Sequence, residues 1–112
     1  MKRIQRKRTK GWRMPPGTRY VGRLSRWGNP FKVIGIRAVW HVYLGSDPVT
    51  TVRSSKRDAE ESAVDLFREY ARERLDKEPG WLDPLVGHDL ACWCGLDHPC
   101  HADVLIEMIA DK

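Results

Sequence analysis

The residues best able to do chemistry crowd into one stretch, "ACWCGLDHPCHADVL", residues 91–105. Cys92, Cys94 and Cys100 fall within nine positions there, His101 follows the last of them, and the chain has no other cysteine. Three kinds of chemistry compete. Zinc is the first: three thiolates and an imidazole from Cys92, Cys94, Cys100 and His101 are the donors a borderline-soft tetrahedral ion prefers. His98, Asp97 or His88 are substitute ligands, and the C-x-C spacing is tighter than the usual two-to-four-residue gap. A reactive thiol is the second, with Cys100 as nucleophile at a helix N-terminus and His101, His98 or Asp103 as base or orienting group. The third is packing, since a free cysteine behaves as a small buried apolar residue. The residues alone leave all three open.

Convergence depends on the elements around these residues. Side chains at i and i+2 of a strand share a face, so a short buried strand over "HDLACWC" points Cys92 and Cys94 one way and Trp93 the other. "HADVLIEMIA" reads as a terminal helix, with Pro99 suited to its start and Cys100 and His101 in its first turn. The four candidate ligands then meet at one end of a sheet. Upstream, "SSKRDAEESAVDLFREYARERLDKEPG" carries an apolar stripe of Ala63, Phe67, Tyr70 and Ala71 with Val64, Leu66 and Leu75. Ser55 and Asp58 have capping-box spacing, and Pro79 with Gly80 ends the helix. Glu69 and Glu73, beside Arg68 and Arg72, read as its solvated face. "AVWHVYL" alternates as a strand, and with "GSDP" and "VTTV" residues 38–53 form a β-hairpin in which His41 is a structural residue.

A second candidate site lies in "YVGRLSRWGNPF", where Arg23, Arg26, Trp27 and Asn29 sit on a glycine-rich turn. Arginine offers a planar fork for phosphate, tryptophan a stacking face and asparagine a two-sided amide, which suits a nucleotide or exposed nucleic-acid bases. "KGWRMPPG" repeats the mixture with Lys10, Trp12 and Arg13. The competing reading makes Trp27 and Phe31 core anchors and the arginines merely solvated.

The bulk properties set limits on all of this. A chain of 112 residues with 41% hydrophobic and 31% charged residues suits one soluble domain with a single modest core. Residues 1–11 are expected to form a basic arm whose order needs a partner or the folded body, and 12–112 the globular body. Residues 1–46 hold twelve Lys or Arg and no acid, while the remainder holds eight bases against fifteen acids. The basic half calls for an anionic partner. No apolar run approaches the ~18 residues of a membrane span, and no secretory signal opens the chain, so a cytoplasmic protein without membrane contact is expected. The fold class expected is α/β or α+β: a mostly β N-terminal half with a hairpin, one long amphipathic helix, a buried strand and a C-terminal helix, all packed on one sheet.

"RIQRKRTKGWRMP", "YVGRLSRWGNPF", "LACWC" and "PCHADVL", in this order, resemble a family of small uncharacterised proteins of bacteria, notably actinobacteria, and of their bacteriophages. The resemblance covers nearly the whole chain. It implies that Gly22, Arg23, Trp27, Gly28, Asn29, Pro30, Phe31, Cys92, Trp93, Cys94, Cys100, His101 and Asp103 are motif positions, while His98 is not one. It brings no reaction with it. Leu24 and Gly95 depart from the pattern, each standing where Pro is frequent.

Together these features predict a nucleic-acid- or nucleotide-binding protein in which the cysteine cluster and the Trp-Gly-Asn-Pro-Phe turn wall one pocket and zinc supports the fold. The alternatives are an enzyme on nucleotides or bases using Cys100 or His101, and a phage protein docking on an acidic host protein in the host cytoplasm.

Overall fold

A computed structural model describes residues 1–111. Their elements run β1 (Arg3–Gln5), β2 (Thr18–Tyr20), β3 (Phe31–Ile36), β4 (Val39–Leu44), β5 (Asp47–Val52), α1 (Lys56–Lys77), a 3-10 turn (Asp83–Leu85), β6 (Asp89–Cys92) and α2 (His101–Ala110). The mixed α/β class expected from the sequence is what the chain adopts. Its strands divide between two three-stranded sheets, ordered β1-β6-β2 and β3-β4-β5, where the sequence reading had one.

The first sheet positions the site. β6 is its middle strand and runs parallel to both neighbours, Arg3 opposite Leu90 and Gln5 opposite Cys92 on one side, Tyr20 opposite Ala91 on the other. A parallel strand covered on both faces reads as a continuous apolar run, and Leu90, Ala91 and Cys92 are all buried. The N-terminal strand is tied to the body at both ends: Leu90 donates its N–H to the Lys2 carbonyl, and Arg6 donates to that of Cys92 at 2.8 Å.

The second sheet is a meander. Ile36 pairs with Val39, so the β3–β4 turn is only Arg37 and Ala38, and both take positive φ, 51° and 63°. Such two-residue turns ordinarily use Asn or Gly, which is why the sequence pattern marks the β4–β5 hairpin and not this one. Pro48 lies in β5, an edge strand, opposite Tyr43 where the register shifts, a place that tolerates proline.

Helix α1 joins the two halves. Ser55 caps it by accepting from the Asp58 N–H at 3.0 Å, as the capping-box spacing predicts. Ala59, Ala63, Phe67 and Ala71, spaced by four, form its buried line. Three small side chains let α1 lie close against β3 and β4, while on another side it meets α2, which in turn covers β6. Phe67, Trp81, Leu82, Leu85, Leu90 and Leu105 fill the core between them. No helix among the described residues is long and apolar enough to cross a membrane.

The Arg37–Ala38 turn gives a direct check. Glycine relieves the Cβ crowding of the left-handed region, so Ala38→Gly is expected to raise stability in urea denaturation by about 1 kcal/mol. A lower stability would show that the turn does not have this backbone.

Candidate metal and ligand site

β6 delivers Cys92 to the end of the first sheet, Cys94 follows two residues past it, and Cys100 is the N-cap of α2. Their three sulfurs lie within 4.8 Å of one another, and Cys92 Sγ is 2.9 Å from Cys100 Sγ. All three cysteines are free, and Cys92 and Cys100 are buried. Three soft donors converging at this spacing can hold a metal ion.

His101 stands beside this group. Its Nε2 donates to the Val21 carbonyl at 2.6 Å, which leaves Nδ1 as the bare nitrogen, 3.8 Å from Cys100 Sγ. The ring meets Phe67 edge-on with centroids 5.1 Å apart. Burial lowers the His101 pKa and keeps the imidazole neutral.

Proton affinity is uneven across the thiols. Cys92 is drawn down to about 3, chiefly by its hydrogen bond with Cys100, then by Cys94, and also by the charge of Arg3. The bond that favours a thiolate on Cys92 holds the proton on Cys100, whose pKa rises with help from Cys94 and from burial. For Cys94 the bond to Cys100 pulls downward, but the bond to Cys92, burial and the Cys92 charge outweigh it and the pKa rises.

Arg3 is the residue that sequence reasoning missed. Its side chain is only 9% exposed. Nη1 donates to the Gly95 carbonyl at 3.1 Å, and Nη2 to those of Leu96 and His98 at 2.7 and 3.1 Å. Nε faces Asp103 Oδ1 at 3.2 Å. The guanidinium thus fastens the loop between Cys94 and Cys100 and places a cation beside the sulfurs. Burial disfavours that charge, but Cys100 and Asp103 outweigh the effect and raise its pKa. Within a run of basic residues nothing marks Arg3 out except its place on β1.

The sulfurs open onto a cavity of about 540 Å³. Cys92, Cys94, Cys100 and His101 line one part of it, and Gly22, Arg23, Asn29 and Phe31 another. Tyr20, Trp93, Lys56 and Glu60 complete the polar and aromatic lining. Trp93 is 40% exposed, and the Arg6 and Arg8 guanidiniums approach its ring at 5.0 and 4.8 Å. Arg6 also covers Tyr20 at 4.9 Å.

The other expected site residues are spread more widely. Asn29 lines the cavity, yet its amide serves the fold: Nδ2 donates to the Ala63 carbonyl at 3.2 Å and Oδ1 accepts from the Phe31 N–H at 2.9 Å. Trp27 and Trp81 are cross-tied, the Trp27 indole donating to the Trp81 carbonyl at 2.8 Å and the Trp81 indole to the Arg26 carbonyl at 3.2 Å. Arg26 pairs with Glu78 at 3.0 Å. Lys10, Trp12 and Arg13 lie outside the cavity lining, with Lys10 and Arg13 exposed and Trp12 half-buried. Among the substitute ligands, His98 Nδ1 is 3.4 Å from Glu60 Oε1, and His88 Nδ1 is 2.8 Å from the Gly17 carbonyl. Asp97 lends its carbonyl to Arg57 at 2.8 Å.

Residues 4–111 match the model of a family described as a domain of unknown function, DUF4326. The chain belongs to the DUF4326 family. No curated protein and no solved structure matches it.

In this DUF4326 domain the turn over residues 22–31 folds back on itself. A Cβ on Gly28 would stand 2.7 Å from the Gly22 carbonyl, closer than backbone allows, so only glycine fits there. Ser25 Oγ donates to the same carbonyl at 2.6 Å. Leu24, on the cavity lining, is fully exposed with φ 70°, a torsion closed to the Pro that the resemblance expects at this place.

The neutral state of His101 has a pH consequence. Its folded pKa lies below the unfolded value of about 6.5, so the contribution is intact above that pH. Stability falls as acidification protonates the unfolded chain first, and the loss is complete below the folded pKa. Urea midpoints measured from about pH 7.5 to 5 should decline more steeply for the wild type than for His101→Gln. Parallel curves would contradict the burial argument.

Proposed function

We propose that this DUF4326 domain binds a nucleotide, or an exposed nucleotide of a nucleic acid, in the cavity beside the cysteines, and that the cysteines hold zinc. One observation carries the reading: a cluster of three thiols shares a single cavity with aromatic faces and cationic side chains. Zinc suits three sulfurs within 4.8 Å of one another, and it also binds the protonated sites, because coordination displaces thiol protons. Tyr20, Phe31 and Trp93 offer flat surfaces for a base, while Arg23 and Lys56 offer charge to its phosphates. Arg6 and Arg8, stacked against two of these aromatic side chains, extend the positive field.

This reading moves the binding role away from part of the residue set expected from composition. Trp27 and Asn29 support the turn through hydrogen bonds to the backbone, and the stacking role passes to Trp93 and Tyr20. Arg23 keeps its part as phosphate partner. The basic N-terminal segment contributes through Arg6 and Arg8 and adds affinity for longer nucleic acid by releasing counterions.

Calorimetric titration of nucleoside monophosphates and short single-stranded oligonucleotides into zinc-loaded protein tests the reading. Affinity should fall as salt is raised, and Arg23→Ala should weaken binding by about 1.5–3 kcal/mol, the worth of a hydrogen bond to a charged group. Salt-independent binding, or an Arg23→Ala variant equal to the wild type, would refute it.

A further inference from the structure

We propose that the metal held by Cys92, Cys94 and Cys100 keeps its fourth position open to the cavity, and that Glu60 works there as proton carrier in the hydrolytic removal of an exocyclic amine from a nucleobase. The proposal rests on the nucleotide reading above and adds a reaction to it.

Structural zinc sites are closed by four protein donors, whereas catalytic sites use three and leave a position for water or substrate. The mutually close donors among the described residues are three sulfurs, and every one of them belongs to a residue lining the cavity. His101 is the obvious fourth donor, with Nδ1 left bare 3.8 Å from Cys100 Sγ by the Nε2 bond to the Val21 carbonyl, but nearness to one sulfur does not make it a member of the cluster. It stays outside the group whose atoms lie within 4.8 Å. The remaining position therefore belongs to the cavity.

Glu60 is the acid on that lining. α1 carries it near its N-terminal end, and two contacts fix this end against the loop between the cysteines: Arg57 Nη1 to the Asp97 carbonyl at 2.8 Å and Glu60 Oε1 to His98 Nδ1 at 3.4 Å. Its side chain is 24% exposed, so water reaches it. A carboxylate beside a metal-activated water is the pairing that hydrolytic base chemistry uses, with the carboxylate off the metal and acting on protons.

Charge selects the part of the nucleotide that meets the metal. A dication with three thiolates carries a net negative charge, which repels a phosphate and accepts a neutral ring. Arg23 and Lys56 supply the opposite field elsewhere on the lining. The base therefore points toward the sulfurs and the phosphate away from them. Of the bonds a neutral base offers to an activated water, the amine-bearing ring carbon is the electrophile.

The step balances without a redox partner. Glu60 takes one proton from the water, whose oxygen forms a bond to the amine-bearing carbon while the C=N electron pair moves onto the ring nitrogen. Glu60 returns its proton to that nitrogen, then passes the remaining hydroxyl proton to the exocyclic amine. The C–N bond breaks, its electron pair leaves with ammonia, and the carbon keeps the oxygen as a carbonyl.

The test uses the full chain loaded with zinc, and a second sample loaded with cobalt(II). Cytidine, adenosine and guanosine monophosphates are supplied, and ammonia release is measured alongside nucleotide binding. The expected result is ammonia from at least one nucleotide, lost by 100-fold or more in Glu60→Gln with metal content and nucleotide affinity retained. In the cobalt sample, azide should shift the visible absorption bands, because the fourth position accepts it. Binding of nucleotide and metal with no ammonia from any of the three overturns the inference and leaves the binding reading standing. Cobalt bands that azide does not move, or a Glu60→Gln variant as fast as the wild type, overturn it as well. Failure to bind any nucleotide would sink the binding reading and this inference with it.

Discussion

Everything at this site depends on three sulfurs being pressed together at the end of a buried strand. Thiols gain little from one another, and ionising more than one of them in a buried place is unfavourable. The arrangement becomes sensible once a positive charge shares the space. Arg3 supplies one such charge from within the fold, and a metal ion would supply a larger one.

The surrounding architecture can be understood as support for that closeness. β6 must be buried to bring Cys92 inside, and it is buried because β1 and β2 flank it and α2 covers it. The loop to Cys100 must be held, and Arg3 holds three of its carbonyls. The glycine-tight turn over residues 22–31 is secured to α1 through Asn29 and to the core through Trp27, and Gly22, Arg23, Asn29 and Phe31 join the cysteines on the cavity lining.

Legibility from sequence followed the range of the interactions involved. Strand parity and a helix start are local signals, so the meeting of Cys92, Cys94 and Cys100 could be anticipated even though Cys94 lies beyond the end of its strand. α1 was readable from its stripe, its cap and its terminating Pro-Gly for the same reason. The β3–β4 hairpin was not, because Arg37 and Ala38 adopt a backbone that their side chains disfavour and only tertiary packing sustains. Arg3 and Glu60 were hidden for a different cause: each is one charged residue among many like it, and only contacts more than thirty positions away single them out. The division of six strands into two sheets also rests on long-range pairing, above all the insertion of β6 between two strands from the N-terminal segment.

The central claim is that these thiols are metal donors with room for one further ligand. X-ray absorption at the zinc edge, on protein purified without chelator, reads it directly. The account predicts three sulfur scatterers at about 2.3 Å and one oxygen or nitrogen. A metal surrounded only by light atoms, or metal-free protein whose three thiols are unaltered by added zinc, would contradict it.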